Sequence, residues 1–189
     1  MASFQAVLDF WFGPLEARGE ARPEWFRKDA AFDAEIARRF GDLHRAAARR
    51  ELEAWRMSGQ PMLALVVVLD QFSRNLHRDD ARAFAQDAHA RECSREALER
   101  GDDLALLPGE RQFLYLPFVH GEDAADQERG VELMRSLESF DATRGALEWA
   151  EKHRTIVRRF GRFPHRNAAL GRPSTPAELE FLAQPGSSF

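Results

Sequence analysis

Apolar residues recur at three- and four-residue spacing along nearly the whole chain, and no two segments alternate as paired strands would. Phe4, Val7, Leu8, Trp11 and Phe12 share one helix face, ended by Gly13-Pro14. After a loop from Arg18 to Pro23, Phe32, Ile36, Phe40, Leu43, Ala47 and Leu52 mark a face between Asp29 and Met57, with Gly41 as a candidate interruption. The run Met62–Leu69, led by Pro61, reads as a helix buried all round; its valines would permit a strand, but no second strand exists to pair with it. Further helices are expected over Asp79–Arg100, Pro108–Val119, Asp123–Leu137, Ala142–Phe160 and from Thr175-Pro176 through Leu182. About eight helices and no strand predict an all-α fold.

The chain has 189 residues and is 44% hydrophobic, enough for one compact domain over 1–189, with 184–189 expected as a flexible tail. No linker divides it, and no self-similarity marks a regular solenoid. Its longest apolar run is eight residues, far short of the roughly 18 needed for a membrane span. Met1-Ala2-Ser3-Phe4-Gln5 does not resemble the start of a signal peptide, so a cytoplasmic location is expected. Cys93 is the only cysteine, which excludes an internal disulfide and a thiolate cluster. His89 and Cys93, four apart, would supply two metal ligands where a tetrahedral site needs at least three; neither a metal nor a cofactor is expected. Phosphate-cradling, dinucleotide, nucleophile-elbow and H-E-x-x-H signatures are all missing.

Charge is unevenly placed. The net charge is -4, yet the 26 residues from Lys152 to Ala177 hold one Lys and six Arg with no Asp or Glu. Lys28 and Lys152 are the only lysines, a bias toward Arg that an Arg-rich codon usage would produce, so the missing acids are more informative than the choice of cation. Arg158 and Arg159 suit the last turn of a helix, where cations complement the dipole. That reason does not extend to Arg162, His165, Arg166 and Asn167 beyond the turn, a donor array suited to a carboxylate or phosphate. The structural alternative stays open: a buried acid such as Asp70 or Glu122 would neutralise them and lock the last helices onto the core.

Two polar strings could supply that partner. Asp70-Gln71-Phe72-Ser73-Arg74-Asn75 leaves the buried helix, and a desolvated carboxylate at a helix C-terminus requires a cation or donor. In Tyr115-Leu116-Pro117-Phe118-Val119-His120-Gly121-Glu122, Pro117 is expected to break the ladder and lead to a turn presenting His120 and Glu122 together, as an acid/base pair or a structural bond.

Phe10-Trp11-Phe12-Gly13, Trp25-Phe26, Leu69–Asn75, Leu116-Pro117-Phe118 with His120 and Glu122, Arg159–Asn167, and Leu170-Gly171-Arg172 with Ser174-Thr175-Pro176 together resemble the bacterial domain of unknown function 924 family, nearly end to end and in order. The resemblance implies an all-α, tetratricopeptide-like superhelical fold and no particular activity. Two positions depart from the family pattern. Ser73 replaces its usual Pro, which is expected to loosen a turn there, and Gly121 replaces its usual Ser, which puts in doubt any mechanism using that hydroxyl as nucleophile.

The expected site is a concave polar pocket formed by Asp70, Arg74, Asn75, Arg162, Arg166 and Asn167 as ligand-binding residues, with His120, Glu122 and His165 as acid/base candidates. Three function classes follow: a module binding a small anion or peptide carboxylate; a hydrolase or lyase of a small anionic substrate; and RNA contact through Arg154–Arg172 with Phe160 and Phe163 stacking, which the acidic remainder of the chain disfavours. A purely structural ion-pair network serving protein–protein interaction is the remaining alternative. No membrane partner is expected, and the sequence specifies no oligomeric state.

Overall fold

The computed structural model describes residues 2–187, and among these the secondary structure is all helical. Helix α1 spans Phe4–Phe12; the Ser3 hydroxyl caps it by accepting from the Ala6 N–H, and Val7, Leu8, Trp11 and Phe12 are buried. Helix α2, Ala30–Ala48, is capped by Asp29 and passes through Gly41 without interruption. It stops well short of Met57: Arg50 takes φ 60, which no right-handed helix accommodates, and Glu53–Met57 form a separate 3-10 turn.

Helix α3, Gly59–Val66, continues through a π-helical stretch, Val67–Phe72, into α4, Ser73–Leu76. No turn follows the apolar run. Ser73 can continue the helix where a proline could not donate, and its hydroxyl bonds back to the Leu69 carbonyl (2.6 Å) while taking the His44 Nε2 contact (2.8 Å). Residues 62–73 are buried, and this rod is the centre of the molecule, packed by α1, α2, α5 (Asp87–Arg100) and α6 (Pro108–Val119). The start of α5 is later than its periodicity suggests, because Asp79 takes φ 61 and Asp80 caps a short 3-10 turn at Ala81–Ala83.

Pro117 lies inside α6 and does not end it. Lacking an N–H, it leaves one ladder bond unmade, but the helix runs on to Val119 and the His120 N–H still reaches the Leu116 carbonyl (2.9 Å). Helix α7, Ala124–Arg135, begins at the Asp123 cap and lies against α6 so closely that a Cβ on Gly130 would stand 2.9 Å from the Val119 Cγ2. Helix α8, Ala146–Phe160, packs on α7 and ends at Gly161 in the left-handed region (φ 69). A 3-10 turn at Pro164–Arg166 follows, then α9, Pro176–Leu182, opened by a Thr175–Glu178 capping box. Ile156, Val157 and Phe163 form a small second core with Phe160 and Phe181. Of the expected tail, Ser187 is buried and its hydroxyl donates to the Leu182 carbonyl, while residues 188–189 lie outside the described residues.

Candidate functional site

The π-helical stretch widens the central rod where Asp70 sits, and such irregularities recur at functional sites. Asp70 is fully buried. Its carboxylate accepts from Gln71 Nε2 (2.6 Å) and His120 Nδ1 (2.8 Å) and lies 3.0 Å from Arg74, which also donates to the Asp70 carbonyl (2.7 Å). Burial disfavours its charge, but Arg74 and His120 outweigh that and hold the carboxyl below its usual range. The need for a cationic or donor partner is thus met three times over. An ionised carboxylate only accepts, so His120 carries its proton on Nδ1 and, when neutral, has its lone pair on Nε2.

Arg74 links this pair to a second carboxylate. Its two terminal nitrogens bond the two oxygens of Asp87 at 3.1 Å each, and Arg166 Nη1 shares one of those oxygens, also at 3.1 Å. The Arg166 guanidinium lies between the rings of Phe84 and Phe163, 4.6 Å from each centroid. Only 7% of its side chain is exposed, and its Nε has no acceptor among the described residues. Burial, with Arg74 adding repulsion, pushes its pKa down to about 10 despite Asp87. The carboxylate it meets is shared with Arg74.

Two further imidazoles adjoin the cluster. His153, on α8, donates from Nδ1 to the Trp149 carbonyl (2.7 Å), its ring 6.2 Å from that of His120. Burial, then the neighbouring His120, lowers its pKa to about 3. Burial and Arg166 bring His165 to about 4. His120 is lowered by burial and by Arg74, against the pull of Asp70. All three rings are therefore neutral at pH 7, and the charges at the centre are Asp70 and Asp87 against Arg74 and Arg166.

The nine expected site residues fall into separate groups by partner. Asp70, Arg74, His120 and Arg166 share the cluster above, with His165 in electrostatic reach of it. Glu122 does not pair with His120; it accepts the Phe163 N–H (2.8 Å) and a two-pronged bond from Arg172 (2.7 and 2.9 Å). The end of α6 explains the divergence, since His120 keeps helical backbone and turns toward the central rod while Glu122, past Gly121, reaches the loop after α8. Asn167 holds Arg172 and Ser174 (3.0 Å each), so it braces that clamp. Arg162 grips Glu178 (2.7 and 2.8 Å) and the Pro173 carbonyl, beside an open hollow of about 470 Å³ lined also by Arg159 and Phe160. Asn75 turns to the other side of the rod, bonding Asp33 of α2 (2.7 Å).

Five of the six arginines in the acid-free segment meet an acid from elsewhere in the chain. Arg154 and Arg158 pair with Glu128, Arg162 with Glu178, Arg166 with Asp87 and Arg172 with Glu122. Phe163 is fully buried, which withdraws it as a stacking ring for RNA. The site expected from the sequence omits Asp87, Phe84, His153 and Arg172. Asp87 looks like an ordinary first-turn acid, and only Arg172 carried a signal, within the Leu170-Gly171-Arg172 string. His89 and Cys93 are both buried, with His89 Nε2 3.4 Å from Glu53, and no three His, Cys, Asp or Glu side chains among the described residues are placed to hold a metal ion.

No helix among the described residues is long and apolar enough to cross a membrane. Among curated proteins none matches the chain significantly. A solved structure from Agrobacterium tumefaciens, described as a protein of unknown function, ATU0120, is 45% identical, spans 95% of this chain and 96% of its own, and superposes with a TM-score of 0.85. Residues 7–186 match the family described as "Bacterial protein of unknown function (DUF924)", and the chain belongs to that family.

Proposed function

We propose that the protein binds a small anion, a carboxylate or phosphate group, at the edge of the cluster formed by Arg74, His120 and Arg166, with Asp70 and Asp87 holding these donors in place. The observation that carries this reading is Arg166: a guanidinium buried between two aromatic rings, sharing the Asp87 carboxylate with Arg74 and keeping a donor nitrogen without an acceptor among the described residues. A buried unmade donor costs roughly 1 to 3 kcal/mol, more for a charged group, and an anion would recover it. Arg74 and His120 keep 21% and 13% of their side chains exposed, which supports access from solvent at that rim. A second reading, chemistry on the bound anion, is favoured by the Asp70–His120 pair, whose carboxylate orients the ring and leaves Nε2 as a proton acceptor.

The test is thermal unfolding in sulfate against chloride at matched ionic strength, for the wild type and Arg166→Lys. Sulfate stabilises most proteins by exclusion, so the informative quantity is the difference between the two proteins. Site binding predicts an extra, saturable stabilisation of the wild type, about 2.7 kcal/mol at a hundredfold excess over Kd. Equal responses in both proteins would overturn the proposal.

A further inference from the structure

The cluster as it stands is electrically balanced, and that constrains what can enter it. Two carboxylates, Asp70 and Asp87, meet two guanidinia, Arg74 and Arg166, and the three imidazoles are neutral. Nearby, Glu122 is matched by Arg172. An anion placed against Arg166 and Arg74 therefore adds a net negative charge to a largely desolvated group of side chains, which is costly unless a positive charge arrives with it. The groups beside the cluster that can gain such a charge are its three imidazoles.

We infer that the site takes up its anion together with one proton, and that the proton is held on His120. This rests on the anion-binding reading above. His120 bonds a carboxylate: Asp70 accepts from Nδ1 at 2.8 Å, so protonation at Nε2 makes an imidazolium that keeps its Asp70 bond and gains a second donor. His153 is bonded instead to the Trp149 carbonyl and is only 8% exposed. His165 is next in sequence to Arg166, whose charge opposes a proton there. The groups facing His120 are Asp70 and Arg74 from the central rod, Asp87 from α5, His153 from α8, and His165 from the turn after α8. Without the anion, burial and Arg74 disfavour a proton on this ring; an anion beside Arg74 offsets that repulsion and favours it. Three imidazoles in mutual reach repel a second proton, so the uptake stops at one. The ligand class is thus a small oxyanion whose affinity rises as pH falls.

The experiment is an NMR titration of the histidine ring protons with sulfate, an anion that does not itself titrate in this range, against chloride at equal ionic strength. The expected result is that one histidine resonance, absent in His120→Asn, moves its midpoint upward by at least about one pH unit in saturating sulfate. Over the window between the free and bound midpoints, sulfate affinity in the unaltered protein should rise about tenfold per unit fall in pH. Asn retains a donor toward Asp70, and the affinity measurement needs no variant at all. If sulfate stabilises the wild type but not Arg166→Lys, yet affinity is flat between the free and bound midpoints, the proton coupling is wrong while the anion site stands. Movement of a resonance that survives in His120→Asn would place the proton elsewhere and overturn the assignment. Absence of any Arg166-dependent sulfate effect would overturn both readings.

Discussion

Acid should unfold this protein through its histidines before its carboxylates protonate. His44, His153 and His165 all have pKa values lowered by burial, to about 4, 3 and 4, from an ordinary 6.5. Above pH 6.5 such a ring is neutral in both folded and unfolded chains and has no effect on stability. As pH falls through 6.5 the unfolded ring gains a proton and the folded one does not, so stability drops until the folded ring also protonates near 4. At pH 5 each ring costs on the order of 2 kcal/mol, and the three together about 6, comparable with the whole stability of a typical domain, roughly 5 to 15 kcal/mol. His77, His89 and His120 are shifted the same way and can only steepen the loss. The assay is urea unfolding followed by far-ultraviolet circular dichroism at pH 7.5 to 5. The unfolding free energy should fall by about 3 to 4 kcal/mol per pH unit near pH 5.3, the signature of nearly three protons. His153→Gln should lose roughly one proton of that slope, a double difference from which its packing change cancels. A slope below about 1.4 kcal/mol per pH unit, one proton, would refute the claim that these rings are held neutral by burial.

Asp70→Asn should destabilise the fold by about 3 to 5 kcal/mol in chemical denaturation at pH 7, because Arg74 would lose one partner in a buried cluster; a cost under 1 kcal/mol would show the bridge to be dispensable. Gly130→Ala places a methyl 2.9 Å from Val119 Cγ2, so overpacking of α6 against α7 should lower stability by roughly 1 to 3 kcal/mol, read as a fall in Tm. Ser73→Ala removes the oxygen facing His44 Nε2, and leaving that buried nitrogen unmet should cost about 1 to 3 kcal/mol in the same assay. Cys93 is buried with its thiol pushed up to about 12, so a thiol reagent at pH 8 should label it only after denaturant is added; rapid labelling of the folded protein would contradict its burial.

Helix positions were largely legible because each follows from nearest neighbours along the chain. Pro108–Val119 emerges with the expected bounds, since Pro opens it and apolar residues fill it, and Thr175-Pro176 starts the last helix through a capping box written in consecutive residues. Errors came where one residue's backbone outranked the pattern around it. Arg50 and Asp79 at positive φ cut two helices short; an arginine gives no sign of that conformation, and an aspartate adopts it only occasionally. Pro117 misled in the opposite sense, because a packed helix tolerates one missing ladder bond when its other contacts hold it.

The site divides along a similar line. The sequence by itself determined an all-helical chain, a rod too apolar to lie anywhere but the centre, a carboxylate at Asp70 that had to be partnered, and a segment of seven cations with no acid of its own. Only the tertiary structure decided which acid meets which cation. Asp87 and Arg166 are 79 residues apart, His120 and Asp70 50, and Glu122 and Arg172 50. Helix formation is local and reads from a window of a few residues, whereas charge pairing depends on how whole helices stack. That stacking sent Glu122 and Asn167 into a clamp and Asn75 to another face, and it left Arg166 buried with a donor to spare.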